Sequence, residues 1–270
     1  MKRLAFCFLI YDEIIHEELW YEYFQNVDIS KYSIYIHYKT NKPLKYFDNF
    51  KLDFCCETKW GSHSLIHAHN LLFKKALDDD NYKIISLSQS CIPLKSFDYI
   101  YNFLTKDDLC HFNICPNQRG WHRAKNLIDR GILQKFIHKT SNWFILNRKI
   151  AQLVTNIDKE TINKLYSDIR SAEEHYYITT IYLNNMQDNV SFTPDLALAT
   201  TFTNWHNMQY KFNNPPKHVN LKNYKEISKE ELSYLCNSNP LPLFGRKFLP
   251  NCIVTPDNKP LKDILITYIT

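Results

Sequence analysis

Groups able to do chemistry together occur in several compact settings. Ser171-Ala172-Glu173-Glu174-His175 places paired carboxylates two and three residues after a serine. That spacing is the capping-box pattern, in which the serine and Glu174 would satisfy each other's backbone N–H groups at a helix start. A helix N-terminus also keeps a carboxylate ionised. Leu243-Phe244-Gly245-Arg246-Lys247-Phe248 sets adjacent cations between aromatics, which on its own reads as a surface doublet. His63, His67 and His69 fall in one helical stretch, but only His63 and His67 share a face. With no third ligand beside them, cap or surface roles are favoured over metal binding. Asp78-Asp79-Asp80 lies before a strand and reads as a solvated turn. The cysteines at 7, 55, 56, 91, 110, 115, 236 and 252 form no C-x-x-C pair, against a zinc ribbon or thioredoxin-like centre. Several, such as Cys7, sit in apolar runs as free buried thiols.

The composition removes whole classes of enzyme. The chain of 270 residues has only 4 glycines against 18 tyrosines and 17 phenylalanines. It therefore cannot supply the glycine-rich loops that dinucleotide and P-loop sites press against phosphate. A net charge of +5 suits a small anionic substrate. The lysines and arginines are scattered rather than clustered, so no nucleic-acid partner is expected. No apolar stretch reaches the length of a membrane span, and no signal-peptide cleavage site follows the first strand. The expectation is a soluble, cytoplasmic protein with reduced thiols.

These groups need a scaffold, and the apolar pattern supplies one. Arg3 to Tyr11 is a continuous apolar run of the kind shown by a strand covered on both faces. A helix is expected over Glu13 to Phe24, then strands at Tyr32 to Tyr38 and Leu52 to Cys56. Leu65, Ala68, Leu72, Phe73 and Ala76 follow helical spacing within Ser62 to Leu77. A buried strand at Tyr82 to Leu87 and a helix from Ser96 to Leu104 continue the alternation. Further on, a strand near Leu109 to Ile114, a basic loop-like stretch from Asn117 to Asn126, and a helix over Ser171 to Asn184 are expected. After Thr200 the chain is rich in Asn, Pro and Lys, with one late helix at Lys229 to Cys236. The alternation predicts an α/β fold: a Rossmann-type, mostly parallel sheet flanked by helices, in a single domain.

Ligands in open α/β sheets bind at the carboxyl ends of the strands. The strand ending at Leu87 runs into Ser88-Gln89-Ser90-Cys91-Ile92-Pro93-Leu94, so this loop should line a site. It carries hydroxyls and an amide where a metal-binding site would need carboxylates.

Several segments occur in the order and approximate spacing of a known family. They are Trp60-Gly61-Ser62; Ile85 to Leu94; Thr140-Ser141-Asn142-Trp143-Phe144-Ile145-Leu146-Asn147-Arg148; Ala172-Glu173-Glu174-His175-Tyr176; and Leu243 to Phe248. Together they resemble the core-2/I-branching N-acetylglucosaminyltransferases, their plant relatives and the xylosyltransferases, over nearly the whole chain. The family usually has Gly-Ser-Gln-Trp for Thr-Ser-Asn-Trp, Asp-Glu-His for Glu-Glu-His, and Phe-Ala-Arg-Lys-Phe for Phe-Gly-Arg-Lys-Phe.

The resemblance implies a GT-A-like fold and inverting, metal-independent transfer from a UDP-sugar to a glycan or glycoconjugate hydroxyl. It makes N-acetylglucosamine the family-weighted sugar. Glu174 matches the catalytic base and Lys247 the phosphate-binding cation, with Arg246 beside it. His37, Ser88 and Gln89 are expected near the donor. Trp143, Trp121, Arg123 and Arg119, with Trp205, are expected toward the acceptor. The nucleotide-binding half would be residues 1–105, and the acceptor-binding and catalytic half 106–270. No divalent metal or other cofactor is expected. Animal members carry a membrane anchor and stem, whereas this sequence opens on its first strand, which suggests a cytoplasmic bacterial or viral enzyme. The alternative is a carbohydrate-binding protein that keeps the fold without turnover.

Overall fold

The computed structural model describes residues 2–113, 121–192, 200–204, 221–240 and 242–269. The strand β1 (Leu4–Ile10) is buried almost throughout. Its residues alternate between the two faces, Leu4, Phe6 and Phe8 joining one core and Ala5 and Cys7 the other. That is the period-two geometry of a strand with packing on both sides. Helix α1 (Glu17–Phe24) follows, then β2 (Tyr32–Tyr38), α2 (Ser64–Asp78) and β3 (Lys83–Ser88). β4 (Ile92–Pro93) leads to α3 (Phe97–Thr105), whose N-terminal N–H of Tyr99 is capped by the Ser96 hydroxyl. β5 (Cys110–Phe112), α4 (Asn126–Asp129), β6 (Ile145–Asn147), α5 (Arg148–Thr155), α6 (Lys159–Tyr166), α7 (Glu173–Leu183) and β7 (Val190–Phe192) complete the main layer.

The six-stranded sheet has the order β2-β1-β3-β6-β5-β7. β1 runs parallel to β2 and β3, while β6 is antiparallel to both β3 and β5. The mostly parallel α/β architecture read from the sequence is therefore present, with β6 as its reversed strand. Beyond it lie β8 (Thr201–Thr203), β9 (Tyr224–Ser228), α8 (Lys229–Asn237), β10 (Phe244–Arg246), β11 (Phe248–Thr255), β12 (Lys259–Pro260) and α9 (Leu261–Ile269). β10 sits between β4 and β8 in a small sheet, which carries the end of β10 to the loop that follows β3.

Several local expectations change. No strand forms over Leu52 to Cys56: Lys51 makes a single bridge to Ile36, and the Cys56 N–H is then taken by the His37 ring. α1 begins at Glu17 rather than Glu13, because the preceding turn is tied to the β3–β4 loop through Ile15 N–H and the Gln89 carbonyl. The capping box expected at Ser171 is absent. Ser171 has φ 55°, and α7 starts at Glu173 with Ala172 as its N-cap and no side-chain cap. A working serine cap stands instead at Ser228, whose side chain accepts from the Glu231 N–H. Asp78 to Asp80 do form the turn between α2 and β3, where Tyr35 donates to Asp79 and Arg148 pairs with Asp80.

Candidate active site

The carboxyl end of the sheet is organised by the segment from His138 to Trp143, which lies along the first turn of α7. Thr140 N–H donates to the Glu174 carbonyl at 2.8 Å, and His175 Nδ1 donates to the His138 carbonyl at 2.8 Å. Asn142 Nδ2 donates to Glu173 Oε1 at 2.9 Å, and the Asn142 carbonyl accepts from Ser86 of β3 at 3.0 Å. These bonds fix the start of α7 against the sheet. They give its adjacent carboxylates different surroundings.

Glu174 reaches outward. Its Oε2 is 3.0 Å from Lys139 Nζ and 3.4 Å from Arg123 Nη1, and its side chain is 18 % exposed. The pairing with Arg123 comes from the turn Trp121–Ala124. Glu173 turns inward and is 3 % exposed. Burial drives its carboxyl pKa up to about 7, and the neighbouring Glu174 charge adds to the shift. Among the described residues, Oε2 of Glu173 finds no hydrogen-bond partner, nor do the buried amide of Asn113, Oδ1 of Asn142 and Nε2 of His175.

On the other side of the segment, the Trp143 ring carries the Arg246 guanidinium 4.1 Å from its centroid. Arg246 ends β10, is 9 % exposed, and its Nε has no hydrogen bond among the described residues. Burial lowers its pKa to about 10, so it remains a cation at neutral pH. Lys247 follows between β10 and β11, half-buried. Its pKa is pushed down first by burial and then by the adjacent Arg246 charge. Strict strand alternation does not apply to this pair, because β10 stops at Arg246 and β11 begins at Phe248.

The remaining expected residues serve other parts of the same end. His37 is fully buried, its Nε2 accepting the Cys56 N–H at 3.0 Å, and burial lowers its pKa to about 4. It holds the loop after β2 rather than facing open space. Gln89 Oε1 accepts from Tyr11 N–H at 2.7 Å, which closes the end of β1. Ser88 is buried against Ser90 and Cys91. Arg119 and Trp205 lie outside the described residues, as does the side chain of Trp121. His67 bonds Asn163, and His69 packs on Phe73. Among the described residues, no group of three or more His, Cys, Asp or Glu could hold a metal ion.

Lys139 and Asn142 were not singled out by the sequence as contributors, although both fall in or beside the Thr140-to-Trp143 segment that drew attention. A lysine one residue before such a segment carries no spacing signal; only the fold shows that it meets Glu174.

The chain is similar to known glycosyltransferases. The model of the Core-2/I-Branching enzyme family matches residues 4–235. Glycosyltransferase BC10 of rice (Oryza sativa subsp. japonica) is 23% identical over 296 residues, spanning 91% of this chain and 73% of that protein. Among solved structures, a glycosyltransferase involved in glycosylation of the major capsid of PBCV-1 aligns with TM-score 0.43 and 10% identity, over 90% of this chain and 92% of that one. The galactosyltransferase LgtC aligns with TM-score 0.43 and 8% identity, over 90% of this chain and 86% of that one. No helix among the described residues is long and apolar enough to cross a membrane. The chain belongs to the Core-2/I-Branching enzyme family, and with it to the glycosyltransferases.

Proposed function

We propose that the protein transfers a sugar from a UDP-sugar to a hydroxyl of a carbohydrate acceptor, with inversion and without a divalent metal. The acceptor oxygen attacks the anomeric carbon from the face opposite the diphosphate. The new C–O bond forms as the bond from that carbon to the phosphate oxygen breaks. The electron pair leaves with UDP, and the acceptor proton passes to Glu174. Arg246 and Lys247 face the charge that develops on the diphosphate, a role cations fill where no metal is used. Lys139 and Arg123 lie against the Glu174 carboxylate before the acceptor arrives. N-acetylglucosamine is the first sugar to test, on the weight of the family.

The observation that carries this reading is the segment from Lys139 to Trp143, which meets the carboxylate of Glu174 at one end and the cation of Arg246 at the other. The absence of carboxylates from the loop Ser88 to Cys91 supports the metal-free part. Glu174→Gln is expected to lower transfer by about a hundredfold or more, the range for a lost general base, while calorimetry finds UDP bound nearly as before. A variant that turns over at the wild-type rate would remove Glu174 from the mechanism. Transfer is also expected to persist in excess EDTA; strict dependence on added manganese would overturn the metal-free reading and leave the transferase standing.

A further inference from the structure

Trp60 is the most exposed large hydrophobic side chain among the described residues, at 79 %. Its position is fixed from behind. The Arg170 guanidinium lies over one face of the ring, 5.3 Å from the centroid. Gly61, the next residue, has φ +71°, and its carbonyl accepts the Ser171 N–H at 2.8 Å. Ser171, itself left-handed at φ 55°, accepts the Glu174 N–H on its own carbonyl at 3.0 Å. A serine in that region is uncommon and is held only where its surroundings demand it. The turn bearing Trp60 is thus docked on the turn that launches α7, and a short run of hydrogen bonds joins it to the backbone of Glu174.

A bare indole on a turn that is hydrogen-bonded to the start of α7 is suited to sugar. A pyranose ring presents an axial face of C–H groups that packs on an aromatic ring, while its hydroxyls stay free at the rim. We propose that Trp60 is a platform for the acceptor: its open face stacks on a pyranose ring, while the Arg170 guanidinium on the opposite face backs the indole. This inference rests on the reading of Glu174 as the base acting on a carbohydrate. It adds an acceptor-binding residue on the loop after β2, outside the acceptor residues expected from the sequence.

The test compares wild type, Trp60→Ala and Trp60→Phe with a panel of mono- and disaccharides ending in galactose, glucose, N-acetylglucosamine or xylose. Trp60→Ala is expected to raise the acceptor KM about tenfold, as loss of one aromatic contact does, and to move the donor KM less than twofold. Trp60→Phe should recover part of the loss. An unchanged acceptor KM in Trp60→Ala, with Glu174→Gln inactive, overturns the platform and leaves the base in place. Equal rises in donor and acceptor KM also overturn it, because they mark a general disturbance of the site. If wild type transfers to nothing in the panel, iodide quenching of tryptophan emission decides. Protection by a saccharide in wild type but not in Trp60→Phe supports the platform; no protection overturns it.

Discussion

The start of α7, proposed as the base side, and the end of β10, proposed as the phosphate side, treat charge in opposite ways. At the start of α7 the partly buried carboxylate of Glu174 meets Lys139 and Arg123, and its neighbour Glu173 is buried with a raised pKa. At the end of β10 the Arg246 guanidinium rests on an indole with Nε unbonded, and Lys247 has no ion pair with a described residue. A buried cation without an anion is costly unless something supplies one. At the start of α7 Lys139 and Arg123 each already have a carboxylate partner before any ligand arrives, which suits a neutral sugar hydroxyl. The phosphate side is left short of negative charge, which suits a diphosphate.

The comparison breaks most visibly at Glu174, where the loss of a hundredfold or more described above should appear in turnover and not in UDP affinity. Its neighbour gives the next largest effect, in stability rather than rate. The Glu173 carboxyl is raised from 4.5 to about 7 in the folded chain. A raised acid binds its proton more tightly when folded, so its contribution is complete below pH 4.5 and is lost as pH rises toward 7. That loss is on the order of 3 kcal/mol. Glu173→Gln keeps the acceptor for Asn142 and cannot ionise. The difference in unfolding free energy between variant and wild type, from urea titrations at pH 4.5 and 7.5, should therefore shift toward the variant at the higher pH. A difference that does not move with pH would show that Glu173 is not held neutral.

The phosphate side should respond in the other direction. Arg246→Met keeps an apolar side chain of similar length against Trp143 while removing a buried charge, so stability is expected to hold or rise. UDP affinity should fall roughly ten- to a hundredfold, the worth of one or two hydrogen bonds to a charged group. The rise in melting temperature that UDP gives wild type should shrink accordingly. Arg246→Met binding UDP as wild type does would erase the contrast between the two sides.

The sequence made the first half of this scaffold readable and much of the last third not. β1, β2, α2 and β3 are long and strongly patterned, and their edges fell within a few residues of the expectation. β8, β10 and β12 are three residues or fewer, too short for any period to show. Yet β10 delivers Arg246. At α7 the serine spacing suggested a cap, but the left-handed backbone of Ser171 depends on the Gly61 carbonyl, over a hundred residues away in sequence. Motif likeness drew attention to the stretch around Glu174; the inward turn of Glu173 and the arrival of Lys139 are tertiary facts that no local pattern encodes.

The smallest expected effects lie in the glycines of the two sides, which differ in kind. Gly61 has φ +71°, and a methyl added there would meet only Arg170 Cγ, at an ordinary 3.8 Å. The cost of Gly61→Ala is therefore backbone strain, about 1 kcal/mol, with room for the side chain. Gly245 has no such φ, but its methyl would come within 3.0 Å of Leu94 Cδ1 and 3.3 Å of Phe248. There the cost depends on whether the Leu94 tip rotates aside, since the terminal methyl of a leucine has rotamers to move between. Gly61→Ala is expected to lower the melting temperature by roughly 2–4 °C and to be insensitive to shortening Arg170. Gly245→Ala should be rescued by Leu94→Val, which withdraws the crowding methyl. Rescue of Gly61→Ala by Arg170→Ala, or failure of Leu94→Val to help Gly245→Ala, would reverse the assignment of backbone strain to the base side and packing to the phosphate side.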